Sequence, residues 1–149
     1  MSGGEMDSVL ELSCNLDDMT AEEIGYAMEA LLAAGALDVY TTAIGMKKCR
    51  PGTMLSVLCA PEKREKMVEA IFRHTTTLGI RETEHRRYIL RRRAETEQTP
   101  FGPVNRKISE GYGVQRGKPE FEDLRRIAEE KGLSLLEIRR LLEEHREAP

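Results

Sequence analysis

A chain of 149 residues that is 40% hydrophobic and 33% charged can bury one ordinary core, and no apolar run in it is long enough to cross a bilayer. A net charge of −3 gives no general attraction to nucleic acid, and Cys14, Cys49 and Cys59, lacking CxxC or metal-ligand spacing, read as reduced thiols rather than disulfides or a zinc site. Met1 to Asp7 is small, polar and acidic rather than basic then apolar, so the expected compartment is the cytoplasm.

Ser8 to Cys14 alternates apolar residues and predicts a first strand that ends in Asn15-Leu16-Asp17-Asp18. Thr20 and Glu23 form a T-x-x-E capping box, after which Ile24, Ala27, Met28, Leu31 and Leu32 recur at helical spacing until Gly35 closes the segment. Leu37 to Ile44 and Met54 to Cys59 predict two strands of a hairpin. Between them, Lys47, Lys48 and Arg50 precede a turn expected at Pro51-Gly52, with Pro51 setting φ and Gly52 tolerating a positive one. Pro61 suits the first turn of a second helix that buries Met67, Val68, Ile71 and Phe72 and ends at Thr75-Thr76-Thr77-Leu78-Gly79. Ile80 to Leu90 predicts a fourth strand with a charged centre, hence an edge strand.

This order is α+β, the ferredoxin-like split βαβ (βαββαβ) arrangement. Right-handed crossovers then make the first and fourth strands neighbours and bring Asn15–Asp18, Lys47–Gly52 and Thr75–Gly79 to one rim of the sheet. Further on, a polar hairpin turns at Thr99-Pro100-Phe101-Gly102, and Glu110 to Lys118 reads as a glycine-punctuated loop. Two short helices follow, one lined by Phe121, Leu124, Ile127 and Ala128 and stopped by Gly132. The other is boxed by Ser134 and Glu137 over Leu135, Ile138, Leu141 and Leu142. We therefore expect a ferredoxin-like core over 1–93, a hairpin extension over 94–117 and a helical pair over 118–149, packed as one compact unit. Residues 119–149 hold nine acidic against six basic residues, the wrong balance for a DNA-reading helix pair.

On the expected rim, Lys47, Lys48 and Arg50 can converge on a phosphate chain, and Asp17 and Asp18 beside Asn15 offer the hard oxygens that suit Mg²⁺ or Mn²⁺. Acid and cation together are what a metal–nucleotide site requires. Each feature also has a plainer role: a soluble hairpin tip, a helix cap, and, for Thr75, Thr76 and Thr77, satisfied carbonyls instead of phosphate contacts. His74 and His85 have no ligand spacing. Six arginines against two glutamates fill residues 81–93. Arg81, nearest the rim, is expected at the nucleotide, and Arg86, Arg87, Arg91, Arg92 and Arg93 on acidic helices or a neighbouring subunit.

Asn15-Leu16-Asp17-Asp18-Met19, Gly35-Ala36-Leu37-Asp38-Val39, Met46-Lys47-Lys48-Cys49-Arg50-Pro51-Gly52, Thr75-Thr76-Thr77-Leu78-Gly79-Ile80-Arg81 and Lys118-Pro119-Glu120-Phe121-Glu122-Asp123 occur in the order of a known family. Over roughly Val9 to Leu142 the chain resembles the C-terminal half of the nickel-insertion proteins that mature the lactate racemase cofactor. The resemblance implies a nickel chelatase, a lyase that inserts Ni²⁺ as substrate into pyridinium-3,5-bisthiocarboxylic acid mononucleotide while CTP is hydrolysed with Mg²⁺ or Mn²⁺. This half would hold the CTP, with Lys118, Glu120 and Asp123 closing the site; no catalytic residue is assigned. The family's N-terminal half and histidine-rich stretch are missing here, so the chain is expected to be an excised domain or one product of a split gene, incomplete for the reaction without that partner. Helices on only one sheet face imply a homo-oligomer, a trimer or a multiple of one. The competing expectation is a non-catalytic oligomerisation domain with an anion-binding basic rim.

Overall fold

The computed structural model describes residues 3–147, and its contacts divide them into two compact units, residues 6–87 and residues 3–5 with 88–147. The first unit is built on a four-stranded sheet in the order β2-β3-β1-β4, from β1 (Glu5–Leu16), β2 (Asp38–Gly45), β3 (Pro51–Cys59) and β4 (Arg81–Ile89). Helices α1 (Ala21–Ala33) and α2 (Arg64–His74) complete the βαββαβ order. The α+β, ferredoxin-like expectation therefore holds, with β4 on an edge beside β1.

Both ends of α1 form as their residues dictate. Thr20 Oγ1 accepts from the Glu23 N–H at 3.2 Å, and Glu23 Oε2 accepts from the Thr20 N–H at 2.8 Å. At the far end the Gly35 and Ala36 N–H groups donate to Leu32 and Leu31 carbonyls, with Gly35 at φ 105°, a Schellman closure that only glycine enters without strain. The helices bury Ile24, Leu31, Met67 and Ile71 against Leu10, Leu12, Cys14 and Leu16 of β1 and Leu55, Val57 and Cys59 of β3. Leu32 and Phe72, expected inside, are exposed, because the apolar stripe each helix needs is narrower than its run of apolar residues.

In the second unit β5 (Arg91–Thr99), β6 (Gly102–Gly111) and β7 (Val114–Pro119) form an antiparallel sheet in chain order. Val104 of β6 packs with Leu124, Ile127 and Ala128 of α3 (Phe121–Lys131) and Ile138 and Leu142 of α4 (Leu135–Glu147). The Ser134–Glu137 capping box forms, and Gly132 ends α3 at φ 64°. Phe121 is exposed rather than lining α3. Glu110 to Lys118 is not the expected loop: Tyr112 at φ 47° and Gly113 at φ 79° make a tight turn, and Gly111 pairs with Val114 to start β7.

Candidate functional site

Three loops meet at one rim of the first unit, as the topology predicts. Asn15, at the end of β1, accepts from Arg81 Nη2 at 2.9 Å. Asp17 lies 3.6 Å from Arg50 Nη1, and Asp18 accepts from the Thr76 hydroxyl at 2.5 Å. These contacts tie the loop after β1 to the β2–β3 turn on one side and to the segment after α2 on the other. The side chains are exposed except for Thr75 and Thr77, which are half-buried. Thr75 donates to the Ile71 carbonyl and Thr77 to the Gly79 carbonyl, so these two hydroxyls close the helix end while Thr76 alone turns to a carboxylate. Beneath them, burial pushes the Cys14 thiol up, keeping it neutral.

The cationic turn is built differently from the expected Pro-Gly corner. Gly45 pairs with Pro51, so Pro51 and Gly52 already belong to β3, and the five residues between are closed by the Met46 N–H donating to the Arg50 carbonyl at 2.8 Å. The corner falls on Lys48 and Cys49, at φ 60° and 57°, a left-handed pair without a glycine. Gly52 serves close packing: a Cβ there would lie 2.4 Å from Met46 Sδ, which would have to move, and 3.1 Å from the Leu16 carbonyl oxygen. Among the described residues Lys47 and Lys48 have neither an ion-pair nor a hydrogen-bond partner. The strained turn therefore carries two uncompensated ammonium groups on the loop that Arg50 joins to Asp17.

Of the rest of the basic block, Arg87, Arg91 and Arg93 pair with strands instead of the expected helices. Arg87 forms a two-bonded pair with Asp7 of β1, whose carboxyl it holds below the usual range, and Arg93 meets Glu95 and Glu110 in the second unit. Lys118, Glu120 and Asp123 also belong to the second unit. There Glu120 pairs with Lys107 at 3.2 Å and Asp123 accepts from the Asn105 N–H at 2.7 Å, fastening α3 to β6. The sequence reading missed a network on the sheet face away from the helices, where Glu11 accepts from Tyr40 at 2.8 Å and lies 2.8 Å from His85 Nε2. Only strand register could have revealed it.

Among the described residues no three His, Cys, Asp or Glu side chains converge as a metal cluster, and no helix is long and apolar enough to cross a membrane. A divalent ion at the rim would have Asp17 and Asp18 as its protein carboxylates; hard oxygen donors of this kind fit Mg²⁺ or Mn²⁺ when phosphate and water complete the shell.

A family model described as nickel insertion protein matches residues 1–139. A putative nickel insertion protein of Cyanothece is 44% identical over 91% of this chain and 33% of its own length. A pyridinium-3,5-bisthiocarboxylic acid mononucleotide nickel insertion protein of Acetivibrio thermocellus is 42% identical over 89% of this chain and 32% of its own length. The chain thus spans about a third of the length of the curated relatives it matches. Among solved structures, LarC2 in its apo form, the C-terminal domain of a cyclometallase involved in the synthesis of the NPN cofactor of lactate racemase, superposes with a TM-score of 0.85. It shares 34% identity, and the match covers 97% of this chain and all of that one. A protein of Methanopyrus kandleri gives 0.70 at 27% identity, covering 89% of this chain and 85% of that one. With the family's fold reproduced along nearly the whole chain and three of the five motifs gathered at one rim, the chain belongs to the nickel insertion protein family.

Proposed function

We propose that this chain is the nucleotide-binding part of a nickel-inserting enzyme and holds CTP with Mg²⁺ or Mn²⁺ at the rim of its ferredoxin-like unit. The larger enzyme would insert Ni²⁺ into pyridinium-3,5-bisthiocarboxylic acid mononucleotide with CTP hydrolysis, as a CTP-dependent lyase, drawing on an N-terminal half for nickel. In this reading the assembly is a cytoplasmic homo-oligomer, a trimer or a multiple of one. The observation that carries the proposal is the meeting at one rim, through Arg50–Asp17, Thr76–Asp18 and Arg81–Asn15, of segments distant in sequence, one of which carries the unpartnered Lys47 and Lys48.

Lys47, Lys48 and Arg50 bind the phosphates, charge-assisted contacts that need no rearrangement of the turn. Thr76, bonded to Asp18, orients that carboxylate, and Arg81, held by the Asn15 amide, extends the donor set. Asp17 and Asp18 would hold the divalent ion, which neutralises phosphate charge when bound. Of the three residues carried by resemblance, Glu120 and Asp123 fasten β6 to α3, while Lys118 has no partner among the described residues.

Calorimetric titration with CTP and with ATP, in Mn²⁺ and in EDTA, tests the reading. The expected result is CTP binding strengthened by the metal and a weaker response to ATP. No binding of either nucleotide would leave an oligomerisation domain with a basic rim.

A further inference from the structure

The second unit carries a charge pattern that the rim does not use. In the β5–β6–β7 sheet, register places Arg92, Ser109 and Arg116 in one cross-strand row and Ala94, Lys107 and Lys118 in the next. Side chains two residues apart share a face, so all six point to the same side, opposite the face whose Val104 packs on α3 and α4. They line a concavity of about 880 Å³ whose wall includes Ile89 and Leu90. That volume lies within the range of small-molecule sites.

Four cations thus stand within two rows, and Lys107 and Lys118 are directly opposite one another, where like charges weaken a sheet. Exposed strands are normally laced with both signs, and this unit does so elsewhere, at Arg93 with Glu95 and Glu110 and at Arg106 with Glu97. On this face, among the described residues, Glu120 alone answers, through Lys107. Arg92, Arg116 and Lys118 have no partner among the described residues. A local rule broken without compensation inside the fold marks a ligand site. Two guanidinium forks beside a serine hydroxyl suit a phosphate, the further ammonium groups suit a second anionic group, and the aliphatic wall suits a flat ring. Glu120 is the lining carboxylate and is already paired, so the site needs no divalent ion.

We infer that this face of the β5–β6–β7 sheet binds a small phosphomonoester bearing a second anionic group, of the class of a pyridinium carboxylate mononucleotide, without metal. The anion site rests on the four cations; the choice of a pyridinium ring rests on the proposed function.

The probe is nicotinic acid mononucleotide, titrated in EDTA into the whole chain, into an Arg116→Ala, Lys118→Ala double variant and into Lys48→Ala. The whole chain binds it, the double variant binds about tenfold or more weakly, and Lys48→Ala binds as the parent does. Inorganic phosphate competes. The double variant, relieved of opposed charges, melts no earlier than the parent, so its loss is not one of folding. Absent binding by the parent, equal binding by the double variant, or loss in Lys48→Ala overturns the site. If the double variant also loses CTP in Mn²⁺, the face belongs to the nucleotide site and the inference falls. If the parent binds the mononucleotide but not CTP, the rim reading falls and this site stands.

Discussion

Lys48 occupies a left-handed backbone well at φ 60°, ψ 29°, and Cys49 follows it at φ 57°. Such a conformation costs a non-glycine residue roughly 1–2 kcal/mol, a strain that glycine relieves while adding some freedom to the unfolded chain. Lys48→Gly is therefore expected to leave the melting temperature unchanged or slightly raised and to weaken CTP about tenfold, the loss of one charge-assisted contact. A fall in both thermal stability and affinity would show that the lysine side chain holds the turn instead of serving a ligand. The identity of these cations is legible in the sequence, but their geometry is not. Pro51-Gly52 signals a corner, whereas Gly52 sits in a strand where Met46 and the Leu16 carbonyl come close to its α-carbon, a contact between residues that no local pattern encodes.

Strand β1 is fastened from both sides through Glu11, which accepts from Tyr40 of β2 and lies beside His85 of β4. Those two partners hold its carboxyl below the usual range. A depressed folded-state pKa contributes stability that is present above the unfolded value and disappears as pH falls through the folded one. Glu11→Gln should thus cost up to about 1 kcal/mol at pH 7 and progressively less below about pH 4, read as converging denaturation midpoints. A gap that persists at pH 3 would mean that packing, not charge, is what Glu11 supplies. At this scale the capping boxes of α1 and α4 and the βαββαβ order are legible, since each rests on spacing within one element. Strand β7 is not: its sequence is short, charged and broken by Gly117, and only pairing with β6 makes it a strand. The cations it aligns therefore had no visible relation to one another.

The whole molecule is two compact units, one carrying the rim and the other the cationic sheet face. In the first, α1 and α2 cover one face of the sheet, and an assembly that covers the other would explain why half of a small sheet is left without helices. Light scattering at micromolar concentration is expected to give a trimer or a multiple of one; a monomer contradicts the proposed assembly. The central claim is that the rim joins a metal held by aspartates to phosphates held by lysines. Its most direct test is calorimetric titration of CTP into Asp18→Asn, in Mn²⁺ and in EDTA, beside the parent. Asparagine keeps an acceptor for Thr76 but loses the ligand charge. The account predicts that the variant loses the strengthening by Mn²⁺ and, in EDTA, binds CTP at least as well as the parent, a repulsive carboxylate having gone. Equal losses in both buffers would show that Asp18 only supports the loop, and would contradict the metal–nucleotide site.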